Sequence, residues 1–412
     1  MKIKDWLYKF YLPARQVVRM RKNQNISWNN KKITVLFFIQ YTPSWGKMRL
    51  LYQSLLKDDR FKVFLFCMPE SWDSGNETYQ YFKERGYDAI NARQEDGSWF
   101  DLKTLKPDYI MTTRPYDYTE PIEYYSQNLC KIAKICNFSY GINIDENIAK
   151  WVYTQPFYRH TYMYFVEMEF LEEVYKKYQK LGTKLNLCHV KHLGMIALDD
   201  FMSQRNDESI SWKFAKGNMR IMWTPRWNTD KTLGGSNFFT FKDFWIDYCK
   251  EHSEVDLLIR PHPLMFSHFE QTGELTKEAA LDYKKLISES ENIALDEEKE
   301  YAANFWNTDV LVTDYSSIVP EFFLTEKPLI FCKKNMELPL LDNMKDILKA
   351  SYVVETAEEL YDCLEELRQG KDTRKDIRIE MKQKLFGKTL GKSVELTTNW
   401  LIEDWRKSNA GN

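Results

Sequence analysis

Asp309–Glu321 reads DVLVTDYSSIVPE. DVLVT is apolar and β-branched enough for a buried strand, DYSS (314–317) is a polar corner, and an apolar helix opens at once, its early Pro320 tolerable only in a first turn. A strand that empties through a polar corner into a helix is the repeating half of a βαβ unit. Working outward, the same grammar recurs. Arg220–Thr224 (RIMWT), Val255–Arg260 (VDLLIR) and Pro328–Cys332 (PLIFC) read as strands around it. Lys32–Ile39 (KITVLFFI), Phe61–Cys67 (FKVFLFC), Asp108–Thr112 and Leu187–Leu193 form an earlier set, with Lys47–Lys57 and Pro121–Cys136 carrying apolar residues at helical spacing. Unbroken apolar strands alternating with helices imply parallel sheets covered on both faces.

The alternation restarts after the polar stretch Asn206–Lys216. The fold class is therefore α/β, with two Rossmann-like domains expected to face one another across a cleft. The divisions expected are a basic amphipathic segment at 1–30, a first domain at 31–205, a second at 206–390 and a terminal helix at 391–412, the tail from Thr356 to Lys407 being mostly helical.

The chain has 412 residues, 43% apolar and 29% charged, with 58 Lys plus Arg against 60 Asp plus Glu. That balance excludes a disordered polyelectrolyte and offers no bulk positive charge for nucleic acid. No run approaches roughly 18 consecutive apolar residues, so no membrane-spanning helix is expected. The N-terminus lacks an apolar run before a small-residue cleavage site, and the 7 cysteines show no paired spacing, as reduced core thiols do. A reducing, cytoplasmic setting follows. Between residues 1 and 22, Lys2, Lys4, Lys9, Arg15, Arg19, Arg21 and Lys22 are opposed only by Asp5, while Trp6, Leu7, Phe10 and Tyr11 share a helical face. Such a segment suits an anionic membrane surface; a terminal helix packed on its own domain is the equal alternative.

In open α/β sheets the chemistry lies at the carboxyl ends of the strands. Ser316 or Ser317 is placed to cap the helix after DVLVT, where free N–H groups and two hydroxyls suit a phosphate and Glu321 suits a ribose. His262, between two prolines in Arg260-Pro261-His262-Pro263, follows the strand VDLLI and is presented rigidly to donate to a phosphoryl oxygen or to shuttle a proton. After RIMWT come Arg226 of TPRW and then Gly234-Gly235-Ser236-Asn237, where small residues let backbone N–H groups approach an anion. Arg226, Gly235, Ser236, Arg260, Asp314, Ser316, Ser317 and Glu321 are the candidate donor-binding residues. The other histidines have no metal-ligand spacing, and there is no G-x-S-x-G, Walker or G-x-G-x-x-G motif, so neither metal nor cofactor is expected.

These residues carry a resemblance. TDYSS (313–317) with Glu321 four residues on, the RPHP His262, the TPRW loop and His192-Leu-Gly-Met-Ile-Ala-Leu-Asp199 resemble the CDP-glycerol glycerophosphotransferase family, the teichoic-acid primases and polymerases of GT-B type. The resemblance spans about 190 to 335 and implies a cytidine-nucleotide donor in the second half and an acceptor offered by the first. The family's H-G-T-P histidine has Tyr140 at its position, in Ser139-Tyr140-Gly141-Ile142-Asn143, and tyrosine is a poor base near neutral pH. Asp145, in the stretch Gly141–Glu146 that follows a short apolar strand, is then the candidate base, the alternative being an acid that caps the helix beginning near Asn147.

The resulting expectation is a cytoplasmic transferase moving a polyol phosphate from a CDP-polyol to a hydroxyl of a polymer or lipid-linked acceptor, CMP leaving, with peripheral membrane contact through residues 1–22. The rival readings are a GT-B glycosyltransferase using a CMP- or other nucleotide-sugar, and a non-catalytic acceptor-binding subunit.

Overall fold

The computed structural model describes residues 11–24, 26–69, 76–117, 121–205, 218–298 and 301–409, with the single positions 4, 7, 212 and 214. Lys2, Trp6, Lys9 and Phe10, and most of the stretch 206–216, lie outside the described residues.

The first sheet has seven strands: β1 (Ile33–Ile39), β2 (Phe61–Cys67), β3 (Ala89–Asn91), β4 (Tyr109–Thr112), β5 (Lys134–Phe138), β6 (Met163–Val166) and β7 (His189–His192). Their spatial order is β3-β2-β1-β4-β5-β6-β7, and every pair is parallel. The second sheet contains β8 (Met219–Thr224), β9 (Val255–Ile259), β10 (Ile293–Leu295), β11 (Val310–Thr313), β12 (Leu329–Cys332) and β13 (Tyr352–Val354), in the order β10-β9-β8-β11-β12-β13, again all parallel. In each sheet the chain starts in the middle, steps one way, then returns to the other side of its first strand. That reversal places a switch point between β1 and β4, and another between β8 and β11.

Because helices cover both faces, the strands need no polar side. All seven residues of β1 are buried, as are all five of β9. The eight strands read from apolar runs are present. Pro121–Cys136 is different: a 3₁₀ turn (Ile122–Tyr124) and a single helical turn (Ser126–Leu129) precede β5. β5 escapes the apolar template because it carries Lys134 and Asn137. Lys134 is buried and its Nζ donates to Asp404 at 2.7 Å and Ser408 Oγ at 2.5 Å, while Asn137 donates to Thr112 Oγ1 at 2.8 Å. Tertiary partners make both residues tolerable in a core strand.

The chain forms two compact units, 1–140 with 149–200 and 388–412, and 141–148 with 201–387. In the first, Phe37, Leu51, Cys136 and Phe165 pack with Trp400, Leu401 and Ile402 of the helix Ser393–Asn409. The helix Leu12–Gln24 also rests on this unit: a Cβ on Gly182 would come within 2.6 Å of Met20 Cε, so the glycine is what allows the close approach. The core of the second unit centres on Trp223, Phe238, Trp245, Leu257 and Phe269. All seven cysteines are buried, and burial raises the Cys67 thiol to about 12. Among the described residues no helix is long and apolar enough to cross a membrane.

Candidate active site at the switch point of the second sheet

β8 and β11 end side by side, with the Thr224 hydroxyl donating to Thr313 Oγ1 at 2.6 Å. Beyond these threonines the two chains diverge. The loop after β8 supplies Arg226 and Trp227; the loop after β11 supplies Asp314 through Ser317.

Asp314 holds the two loops together. It is fully buried, and its Oδ2 accepts from the backbone N–H of Arg226 at 2.8 Å and of Asn237 at 3.1 Å, while Oδ1 accepts from Asn237 Nδ2 at 3.0 Å. Desolvation raises its pKa to about 6, against the lowering effect of these hydrogen bonds. Both carboxylate oxygens accept from protein donors, so Asp314 braces the two loops.

The Gly-Gly turn also differs from expectation. Gly234, Gly235 and Ser236 donate their N–H groups to the carbonyls of Lys231, Asp230 and Asn228, and Asn237 N–H goes to Asp314, so none is left for an anion. Gly235 is required for another reason: at φ +49° its Cβ would fall 1.5 Å from the Asn335 carbonyl oxygen. Ser236 is buried, its hydroxyl 3.4 Å from Asp314 Oδ2. Gly235 and Ser236 thus pack the turn against Asn335 and Asp314.

Arg260 and Glu321 sit on the flank of this site in a network of their own. Arg260 pairs with Asp296 at 2.8 Å and donates to the Glu298 carbonyl at 2.9 Å, its guanidinium 5.1 Å from the Tyr301 ring centroid; the Tyr301 hydroxyl donates to Glu321 at 2.5 Å. Burial of Asp296 and Glu321 accounts for these partners.

Four further groups stand in the loops after these strands. Arg226 Nη1 donates to the Tyr315 carbonyl at 3.0 Å, and its guanidinium lies 5.0 Å from that tyrosine's ring centroid. Desolvation lowers the Arg226 pKa, opposed by Tyr315, Asp314 and Asp145. His262 is exposed, its N–H donates to the Pro225 carbonyl at 3.1 Å, and its Nδ1 accepts from Leu264 N–H at 3.2 Å. An Nδ1 used as acceptor leaves the proton of a neutral imidazole on Nε2. Desolvation, and then Arg226, lower the His262 pKa to about 4, so the ring is neutral at pH 7. Ser316 is half-buried, its Oγ 3.4 Å from the Ile318 N–H; Ser317 is exposed, with no hydrogen-bond partner among the described residues. Neither serine caps the helix. That post falls to Ile318, with no side-chain bond, and the helix Val319–Phe323 is too short for a sizeable dipole, although Pro320 lies in its first turn as expected. One cation, one neutral N–H donor and two hydroxyls on adjacent strand ends make a donor set for a diphosphate.

Residues 198–401 match the family described as CDP-Glycerol:Poly(glycerophosphate) glycerophosphotransferase. Over that span the chain carries this family's pattern. It is a glycerophosphotransferase-like enzyme of GT-B-like fold. The wall teichoic acid polymerase TagF superposes with a TM-score of 0.62 at 13% identity, over 99% of each chain. A UDP-GlcNAc 2-epimerase from Neisseria meningitidis, bound to UDP-GlcNAc, superposes at 0.59 and 13% identity, over 90% of this chain and 100% of that one. These identities speak for fold alone. No curated protein sequence matches the chain.

Three further residues singled out in the sequence lie elsewhere in this glycerophosphotransferase-like chain. Asp199, which closes the His192–Asp199 motif, accepts from Gly391 N–H at 2.7 Å and Ser393 N–H at 2.8 Å, tying down the start of the last helix. The Tyr140 side chain is half-exposed; partial desolvation raises its phenol pKa and nearby Arg114 opposes the rise, so it stays protonated at neutral pH. Asp145, the candidate base, is instead fully buried, with Oδ1 accepting from Ile148 N–H at 2.8 Å and Oδ2 from the Tyr315 hydroxyl. Tyr315 and Asn237 are the contributors that the sequence conceals. Their only signal is adjacency, Tyr315 inside TDYSS and Asn237 after the Gly-Gly turn.

Proposed function

We propose that the second unit binds a CDP-polyol, most simply CDP-glycerol, and that the enzyme transfers its glycerol phosphate to a hydroxyl of a cell-surface polymer precursor. The acceptor oxygen attacks the β-phosphorus, the bond from that phosphorus to the bridging oxygen breaks, CMP leaves, and the acceptor proton passes to solvent. The observation that carries this reading is His262: neutral at pH 7, with Nδ1 committed as acceptor, it offers an Nε2–H donor near Arg226. A transfer of this kind needs positioning and charge stabilisation more than covalent chemistry. The family description supports the donor class, and a TagF variant has been soaked with CDPG.

CMP release from CDP-glycerol with a lipid-linked acceptor tests the reading. Turnover of a CMP- or UDP-sugar in its place makes the protein a glycosyltransferase, and donor binding without turnover makes it an acceptor-binding subunit.

Replacing both Ser316 and Ser317 by alanine should weaken CDP-glycerol binding by roughly tenfold or more, since each lost bond to a charged phosphate is worth about 1.5–3 kcal/mol. Calorimetry giving equal affinities for variant and wild type removes the serines from the site.

A peripheral position on the cytoplasmic membrane face belongs to the same proposal. The helix Leu12–Gln24 buries Met20 yet exposes Arg15, Arg21 and Lys22 beside Tyr11, Leu12 and Val18. Reversing the three charges to glutamate leaves Met20 in place and should abolish most cosedimentation with anionic liposomes at physiological salt, each basic residue being worth about 1 kcal/mol near such a surface. Undiminished cosedimentation assigns the helix a purely structural role.

A further inference from the structure

Residues 141–148 follow β5 of the first sheet directly, yet they pack into the second unit. Glu146 N–H donates to the Pro339 carbonyl at 2.9 Å, Leu341 N–H to the Ile144 carbonyl at 3.0 Å, and Asn343 Nδ2 to the Asn143 carbonyl at 2.9 Å. Asp145 and Leu340 form an antiparallel bridge between the two stretches. At the near end of the strap, a Cβ on Gly141 would meet Ser317 Oγ at 3.6 Å, ordinary contact distance. The strap therefore starts against one donor-site hydroxyl and is anchored along its length.

Asp145 is fully buried, and its Oδ2 receives the Tyr315 hydroxyl. The same Tyr315 lies against the Arg226 guanidinium and accepts from Arg226 Nη1 through its carbonyl. Gly234 closes the other side, since a Cβ there would sit 2.7 Å from both Arg226 Nε and Tyr315 Cδ1. Arg226 is thus clamped against one tyrosine, whose hydroxyl is fixed by one carboxylate. A buried carboxylate is costly unless it is paired, and Asp145 is supplied with a hydroxyl donor, a backbone N–H and a neighbouring guanidinium.

Resting on the donor reading above, we propose that Asp145 is a positioning residue: through Tyr315 it sets the Arg226 guanidinium for the donor's diphosphate, so that strap 141–148 forms part of the donor site.

The test measures CDP-glycerol binding by calorimetry, and CMP release, on the full chain. Arg226→Ala, Asp145→Asn and Tyr315→Phe should each weaken binding roughly tenfold, with most of the loss of turnover appearing in KM. If Asp145 acts through Arg226, Asp145→Asn adds nothing in the Arg226→Ala background. Multiplicative losses in the double variant overturn the inference. So does a hundredfold fall in kcat at unchanged affinity for Asp145→Asn, which makes Asp145 the base. Weak binding by Arg226→Ala with wild-type binding by both other variants overturns the inference and leaves the donor site standing. Wild-type binding by Arg226→Ala overturns the donor reading itself, and the inference with it. Should Asp145→Asn fail to fold, the cycle of Tyr315→Phe with Arg226→Ala reads the same coupling.

Discussion

His262→Ala lowers the rate of CMP release by about 100- to 1,000-fold while the unfolding midpoint stays near that of wild type. The magnitude is that of removing one preorganised donor from a developing oxyanion, about 3–4 kcal/mol. The side chain is exposed and its loop is held by backbone bonds, His262 N–H to Pro225 and Met265 N–H to the His262 carbonyl at 2.8 Å, which an alanine keeps. The pH dependence is a second signature. With a pKa lowered to about 4, His262 is already neutral across pH 5–9, so it should impose no inflection near 6.5 on the rate. A folded variant within threefold of wild type disproves the role, and a rate that rises through pH 6.5 in wild type but not in the variant reassigns His262 as a titrating base.

Asp314→Ala should act on stability and donor binding together. Four donors converge on this carboxylate, from Arg226, Asn237 twice and Ser236. Orphaning buried donors costs about 1–3 kcal/mol each, partly offset by removing a desolvated charge, so a net loss of about 2–4 kcal/mol is expected at pH 7, along with donor affinity. The pH sign follows from the raised pKa. Between the unfolded value of 3.8 and the folded value of about 6 the native state binds the proton more tightly, so wild-type stability from this group falls as pH rises through that window and is flat above it. Urea melts at pH 4, 5, 6 and 7 check both points: the variant should lose this component of the slope, and a wild-type midpoint at pH 7 refutes the bracing role.

The legible parts of the molecule are those where one local rule decides the outcome. β1, β8, β9, β11 and β12 are apolar runs buried on two faces, and Pro320 stands in a first helical turn as turn chemistry requires. β3, β10 and β13 are three-residue strands with too little pattern to read. In the site, His262, Arg226, Ser316 and Ser317 are legible because each follows a buried strand directly, at the sheet edge where α/β folds bind ligands. The roles of Asp314, Gly235, Ser236, Arg260, Glu321 and Asp145 are set by distant stretches of chain. Arg260 meets Asp296, 36 positions on, and Asp145 meets Tyr315, 170 positions on. A charge's partner is a tertiary fact: from sequence alone, a carboxylate that braces a loop and one that meets a ligand look the same.

Lys134 gives the first unit an order of assembly. Its ammonium is buried where β5 meets the last helix, and its counter-charge, Asp404, lies 270 positions later in that helix. A ribosome adding about 5–20 residues per second exposes β1 to β7 well before that carboxylate emerges. Throughout this interval the nascent first unit lacks Trp400, Leu401 and Ile402 as well, leaving an apolar face uncovered beside an uncompensated charge. The second unit holds no residue beyond 387, so it can close first although it is made later. The first unit, although made first, is complete only once the helix Ser393–Asn409 has been added.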